Sequence, residues 1–119
     1  MSWVTGDNDM ILDFNDIPVK ELEHFKGGEK TFFAHMCDDG ACKVMHGTLP
    51  PGASIGLHTH DDSCEIMYFL SGRGTVLYDG QTLTVGPGQV HYCPKGHAHS
   101  LRNEETDRDL VFVGVVPKQ

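Results

Sequence analysis

Apolar and polar residues alternate in short segments along most of the chain. Alternation of this kind, bounded by Gly, Pro, Asn or Asp, is typical of β-strands that bury one face. The pattern predicts strands over residues 10–14, 31–36, 43–49, 64–70, 74–78, 81–85, 89–93, 97–102 and 110–116. One more strand is predicted around His58 and His60. Residues 19–25 are instead predicted to form a short turn of helix, which ends at Gly27 and Gly28.

Turn signals separate these segments at regular intervals. Asp79-Gly80 is the strongest hairpin signal, and further turns are predicted at 50–52, 86–88 and 94–96. Short strands in close succession, without an internal helical pattern, indicate a β-sandwich or barrel. No linker, repeat or low-complexity tract divides the chain, so we expect one domain over residues 1–119, with residues 1–9 loosely ordered.

Composition narrows the range of partners. The 119 residues include 14 glycines and 6 prolines, which suits many tight turns, and the formal net charge is -8. A strongly acidic chain is a poor match for nucleic acids and for anionic membrane surfaces, which favour basic patches. The first residues show no basic segment followed by an apolar run, and no stretch has the length of a membrane span. We therefore expect a cytoplasmic protein with neither kind of partner.

The four cysteines stand at positions 37, 42, 64 and 93. In a cytosolic chain they are expected to be free thiols. A two-residue turn at Asp39-Gly40 would nevertheless place Cys37 opposite Cys42, so that a redox-sensitive bridge between them remains an alternative. Cys64 directly precedes Glu65, and strand alternation predicts that its side chain points away from that carboxylate.

Three histidines and one glutamate form the clearest chemical pattern. His58 and His60 are two residues apart and share one face of a strand, Glu65 follows, and His99 comes 34 residues after the glutamate. Three imidazoles and a carboxylate suit a first-row divalent metal with coordination positions left open.

These residues lie within two longer motifs. Residues 52–72 read G-x5-H-x-H-x4-E-x6-G, and residues 88–103 read G-x5-P-x-G-x2-H-x3-N. Both resemble the signature motifs of the cupin superfamily at every specified position, and LPPGASIGLHTH resembles a segment of small bacterial cupins. The likeness runs from about Gly47 to the last residue, and only a hairpin fits between the motifs.

The resemblance implies an all-β fold, the cupin double-stranded β-helix or jelly-roll barrel, in a single domain. It also implies one divalent transition metal (Mn, Fe, Ni or Zn) bound inside the barrel, and a homodimer formed through N-terminal strands and sheet edges. The expected metal ligands are His58, His60, Glu65 and His99.

Three further residues are candidates for proton transfer beside the metal. His97 lies two residues before His99 and would face the interior if both belong to one strand; if the strand begins later, it is a loop histidine at the barrel mouth. Alternation allows only one of His91 and Tyr92 to face inward, and the sequence leaves the choice open. His46 presents the same uncertainty on an earlier strand.

Other side chains receive structural interpretations. Asn103 is expected to cap a strand end through its amide. Arg73 and Arg102 are the cations nearest to the motifs and could hold an anionic substrate, although both are at strand ends, where arginine is normally solvated. Tyr68 is expected to face outward, and the expected barrel-filling residues are Met67, Phe69, Tyr78 and Phe112.

The preferred functional hypothesis is a metal-dependent enzyme that acts on a small polar metabolite by Lewis-acid or oxygen chemistry. The isomerase, lyase, decarboxylase and dioxygenase classes all remain open, because fold and ligand set are shared by all of them. The alternative is a non-catalytic metal-containing barrel that binds or senses a small ligand, and a weaker one is a structural metal. A proton donor or acceptor beside the metal distinguishes the enzyme from the binding protein.

Overall fold

The computed structural model describes residues 11–119, and the following account concerns that range. Ten strands form two antiparallel sheets, one with the order β1-β2-β3-β10-β5-β8 and the other with the order β4-β9-β6-β7. Two short 3-10 helices, Phe14–Asp16 and Phe25–Gly27, flank the first strand. The strands are β1 Lys20–Glu23, β2 Thr31–Asp38, β3 Cys42–Leu49, β4 Ser54–Thr59, β5 Glu65–Ser71, β6 Gly74–Tyr78, β7 Gln81–Val85, β8 Val90–Cys93, β9 Ala98–Asn103 and β10 Leu110–Pro117.

The alternating pattern predicted most of these strands to within two residues at either end. The β6–β7 hairpin matches the prediction at both ends. At its tip Asp79 and Gly80 have φ angles of 48° and 78°, the conformation that a two-residue hairpin loop requires and that Asp-Gly adopts readily.

Two predictions near the beginning of the described range are wrong. Residues 20–23 form β1 rather than a helix, since they pair with β2 from Lys20 opposite Ala34 to Glu23 opposite Thr31. Hydrogen bonding to a neighbouring strand outweighs the local preference. The predicted strand over 10–14 is replaced in its described part by irregular chain and a 3-10 turn, which the Asp13 carboxylate caps by accepting the N–H of Asn15. Residues 1–9 lie outside the described range.

The core lies between the two sheets. Phe32 and Phe112 stack with ring centroids 5.8 Å apart, and Met67 and Phe69 are almost fully buried beside them. Tyr78 packs against this cluster and remains partly exposed. The expected barrel-filling roles of these residues are confirmed, and Tyr68 faces outward as predicted.

All four cysteines are free thiols. The β2–β3 hairpin closes one residue later than the sequence indicated, because the Asp39 carboxylate accepts the backbone N–H groups of Ala41 and Cys42. Cys37 therefore lies opposite Val44 and not opposite Cys42, so the register that would have favoured a bridge is absent. Within the described range, neither helix has the length or the hydropathy to cross a membrane.

Candidate metal centre

A β-bulge in β4 directs the first two histidines inward. Along the β4–β9 pair Ile55 lies opposite Leu101 and His58 lies opposite His99, so three steps on β4 match two steps on β9. Ile55 and His58 are an odd number of residues apart, and a regular strand would turn them to opposite faces. The extra residue within Gly56-Leu57 restores the inward direction, and Leu57 is left exposed on the outside.

Close packing explains why one of the bulge residues is a glycine. A Cβ atom on Gly56 would lie 2.0 Å from the backbone oxygen of Lys26, in the 3-10 segment that crosses β4. Glycine therefore allows that segment to rest directly on the strand that carries His58.

The structure brings together all four predicted ligands. One ligand atom from each of His58, His60, Glu65 and His99 lies within 4.8 Å of the others. The Nε2 atoms of His60 and His99 are 3.0 Å apart, and they lie 3.2 Å and 3.0 Å from Oε1 of Glu65. The cluster is buried except at His58, which is half-buried.

Each of the three imidazoles has a hydrogen-bond partner at its other nitrogen. His58 Nδ1 is 2.8 Å from the carbonyl oxygen of Gly56, and His60 Nδ1 is 3.0 Å from Oγ of Ser63. His99 Nδ1 is 3.0 Å from Nε2 of His91. With Nδ1–H donating to these partners, every Nε2 lone pair points into the cluster, the arrangement typical of metal-binding histidines.

This donor set fits a divalent cation. Nitrogen lone pairs and a carboxylate oxygen about 3 Å apart repel one another unless a proton or a cation lies among them. Neutral imidazoles and a carboxylate suit Mn, Fe, Ni or Zn, so the residues present could hold the metal that the sequence predicts.

The pKa of Glu65 reflects two opposing effects. Burial raises the pKa of the carboxyl group, but in the metal-free protein hydrogen bonds from Nε2–H of His60 and His99, together with the charges of these rings, outweigh burial and lower it to about 2. Glu65 is therefore an anion at neutral pH, as a metal ligand must be. Its carboxylate lies over Gly114 of β10, where a Cβ atom would approach Oε2 to 3.3 Å.

His91 lies behind His99 rather than in front of the cluster. It faces inward on β8 opposite Met67 and is buried. Burial, together with the neighbouring His99, lowers the pKa of His91 to about 4. A neutral His91 can accept a hydrogen bond from Nδ1–H of His99 and thereby orient that ring. His91 therefore acts through His99, as a positioning residue.

The structure does not bring His97 or Tyr92 to the cluster. Strand β9 begins at Ala98, and His97 lies in the preceding turn, with Nδ1 2.8 Å from Oδ2 of Asp79 and 3.3 Å from the hydroxyl oxygen of Tyr78. The inward direction of His91 fixes the outward direction of Tyr92, which is 52% exposed.

The remaining expectations concern residues farther from the cluster. His46 lies on the face of β3 directed away from the core, beside Phe14, and its ring is 6.1 Å from that of His35. Asn103 caps the strand end as predicted, since its amide donates to the carbonyl oxygens of Leu49 and Arg108.

A cavity of about 230 Å³ opens onto the cluster of His58, His60, Glu65 and His99. This volume is smaller than the roughly 300–1,000 Å³ of pockets for drug-sized ligands, which favours a small ligand. Its walls combine apolar side chains with polar ones, among them Phe25, Phe32, Met45, Met67, Val116, Thr59, Ser63 and Ser100. His91, Tyr92 and His97 do not line it.

The cations of this cavity differ from those that the sequence indicated. Arg102 pairs with Glu104 at 3.3 Å on the surface, and Arg73 lies near Gly86, away from the cavity. Lys26 and Lys43 line the cavity instead. The alternation of Lys43 with Met45 and Leu49 along β3 was a signal that this lysine faces inward.

Comparisons with known proteins agree with this architecture. The family model described as a cupin domain matches residues 45–116. The chain is 30% identical over 116 residues to an oxalate-binding protein of Thermotoga maritima, a match that covers 90% of this chain and 93% of that protein. It is 32% identical over 75 residues to quercetin 2,3-dioxygenase of Bacillus subtilis, covering 63% of this chain and 22% of the dioxygenase.

A solved structure shows the same fold over most of the chain. The crystal structure of a protein described as a predicted oxalate decarboxylase from Thermotoga maritima superposes with a TM-score of 0.85 at 27% identity, covering 92% of this chain and all of that one. The two sheets, the two motifs and the family match together identify this chain as a member of the cupin family.

Proposed function

We propose that this cupin binds a divalent transition metal at His58, His60, Glu65 and His99, and that it binds a small carboxylate at that centre. One observation carries the proposal: the Nε2 atoms and a carboxylate oxygen converge, while the opposite nitrogen of every ring has a hydrogen-bond partner. A bound metal supplies Lewis acidity at its open positions, which attracts carboxylate oxygens. The likeness to an oxalate-binding protein supports a carboxylate as the ligand.

Binding without turnover is the function that the geometry supports best. The three expected proton-transfer residues lie behind the cluster or outside the cavity, as described above. Beyond the cluster, the cavity is lined by apolar side chains and hydroxyl groups, which shield a ligand, and by four charged side chains, those of Lys26, Lys43, Asp61 and Asp62. The two lysines supply positive charge that favours binding of an acid. The protein's residues are thus suited to holding a small acid.

The test begins with elemental analysis of protein purified without an affinity tag, beside the double variant His58→Ala/His60→Ala. We expect about one metal ion per chain, and none in the variant. Isothermal titration with oxalate should then show one binding event in the native protein and none in the variant. Full metal content in the variant, or native metal-loaded protein that binds no carboxylate, would contradict the proposal.

Catalysis on the same ligand is the second candidate. Metal-assisted decarboxylation or oxygen chemistry needs fewer protein acids and bases than isomerisation does, so the absence of His97 and Tyr92 from the cavity weighs less against it. The likeness to a predicted oxalate decarboxylase and to a dioxygenase supports it. Carbon dioxide release or oxygen uptake on incubation with oxalate would distinguish turnover from storage of the intact acid.

We also propose that the protein is a homodimer, formed through the outer face of the six-stranded sheet rather than through the N-terminal strands and sheet edges that the cupin resemblance implies. Ile66 lies opposite Tyr92, and Tyr68 lies opposite Val90, so four exposed apolar side chains form one patch on β5 and β8. A patch of this kind on a soluble domain marks an interaction surface. Analytical ultracentrifugation should show a dimer that Tyr68→Glu dissociates, whereas Leu83→Glu, a control on the other sheet, leaves it intact.

A further inference from the structure

The inner face of the six-stranded sheet presents a second charged group to the cavity. In β3, residues alternate between the two faces of the sheet, and Lys43 lies on the inner face with Met45, Gly47 and Leu49. Lys43 is half-buried and lines the same cavity as Glu65 and the histidines. A cation in this position is unusual, since lysine is seldom buried without a partner.

The strand register places Lys43 in line with Glu65. Lys43 lies opposite Val116 of β10, and the β10–β5 register ends at Val115 opposite Ile66, so that its next step places Val116 beside Glu65. The three residues form one row across neighbouring strands, which are about 4.8 Å apart. The flexible four-carbon stem of lysine extends from one end of this row towards the metal-binding carboxylate at the other.

In the part of the chain that the structure describes, the ammonium group of Lys43 has no ion-pair partner. Among residues 11–119, no carboxylate oxygen lies within 4.0 Å of it. Asp38, its neighbour on β2, instead accepts the backbone N–H of Gly40 at 2.9 Å. Asp61 and Asp62 also line the cavity, and Asp62 is 3.9 Å from Lys118. The positive charge of Lys43 therefore remains available to a ligand.

We propose that Lys43 is a specificity-determining residue that binds the second anionic group of a dicarboxylate. This inference rests on the proposed function: the first carboxylate lies at the cluster of His58, His60, Glu65 and His99, and the second reaches Lys43 across Val116. The apolar wall of Phe32, Met45 and Val116 excludes water from this contact and strengthens it. A monocarboxylate occupies the cluster alone and does not reach Lys43.

The test compares carboxylates on the metal-loaded protein by isothermal titration. The probes are oxalate and malonate, with acetate as the monocarboxylate. Lys43→Met retains the apolar stem and removes the charge, and we expect it to weaken dicarboxylate binding about tenfold to hundredfold, the effect of one charge-assisted hydrogen bond. Acetate affinity and metal content should stay close to those of the native protein.

Lys20→Met is the matched control, since it removes the same charge from an exposed position on β1. Lys43→Gln is a second variant, which preserves polarity if the methionine side chain disturbs folding as seen by circular dichroism. Equal preference for dicarboxylates in the native protein and in the folded Lys43 variants would overturn the role of Lys43 and leave the proposed function intact. A native metal-loaded protein that binds neither class of acid would overturn both.

Discussion

His91 Nε2 lies 3.0 Å from His99 Nδ1, which makes a buried and neutral histidine the support of a predicted metal ligand. The lone pair on His91 Nε2 accepts a hydrogen bond from Nδ1–H of His99. This acceptor fixes both the tautomer and the direction of the His99 ring. The contact joins β8 to β9, two strands that belong to different sheets. The centre thus depends on how the two sheets are held together.

Removing this acceptor should weaken metal binding. We expect His91→Leu to lower metal affinity about tenfold to hundredfold, because it leaves the Nδ1–H of His99 buried without a partner. His91→Gln, whose amide oxygen can still accept, should retain more of the affinity. Competition with a chelator of known affinity measures both variants, and equal affinities for His91→Leu and the native protein would refute the role of His91.

Substitution of the carboxylate ligand should act more strongly. Glu65→Gln removes the negative charge from the cluster while preserving its shape, and we expect metal affinity to fall by about one to several orders of magnitude. The exposed Glu104→Gln is the control for loss of one charge. Elemental analysis after dialysis measures the effect, and unchanged metal content in Glu65→Gln would exclude Glu65 as a ligand.

The stability of the metal-free protein should fall as the solution becomes acidic. Folding lowers the pKa of His91 from 6.5 to about 4. As the pH falls, His91 therefore takes up a proton in the unfolded chain before it does so in the folded protein. The contribution of His91 to stability is complete above pH 6.5 and is lost as the pH falls from 6.5 to 4, a change of at most about 3 kcal/mol.

Burial lowers the pKa of His58 as well and acts in the same direction. Below pH 4.5, Glu65 adds a further loss as the pH approaches its folded pKa of about 2. Urea unfolding at several pH values measures the profile. His91→Gln should be less sensitive to pH between 6.5 and 4, and an identical slope in this variant would contradict the assignment.

The bulge glycine should be sensitive to a single added methyl group. Gly56→Ala places a Cβ atom 2.0 Å from the Lys26 oxygen, and we expect a loss of about 1–3 kcal/mol in unfolding free energy. Metal affinity should fall too, because the carbonyl group of Gly56 orients His58. Gly40→Ala is the control: it strains a positive φ in open space, so it should lower stability without altering metal affinity.

The predictable part of this molecule is the part encoded by local pattern. Asp79-Gly80 predicts both ends of its hairpin correctly, and the spacing of the two motifs identifies the four residues that cluster. Strand β1 could not be predicted from its own residues, because pairing with β2 stabilises it. The direction of His91 also depends on the partner strand, because alternation alone permits either face.

The same reasoning applies to the cavity. Arg102 lies near the motifs in sequence but is paired with Glu104 on the surface, whereas Lys43 is distant in sequence and only two strands away from Glu65. Proximity across a sheet is set by strand order, and strand order is a property of the whole fold.

The bulge at Gly56-Leu57 separates the direction of the two imidazoles from the length of β4. Deleting one of these two residues would leave Ile55 and the first histidine two residues apart, the spacing at which a regular strand keeps both side chains on one face. Both histidines would still pair with β9 in the register that sets His58 opposite His99, whereas the close contact between β4 and the Lys26 segment would change. Relatives that are one residue shorter between Ile55 and His58 are therefore expected to keep the metal, although their strand has no bulge.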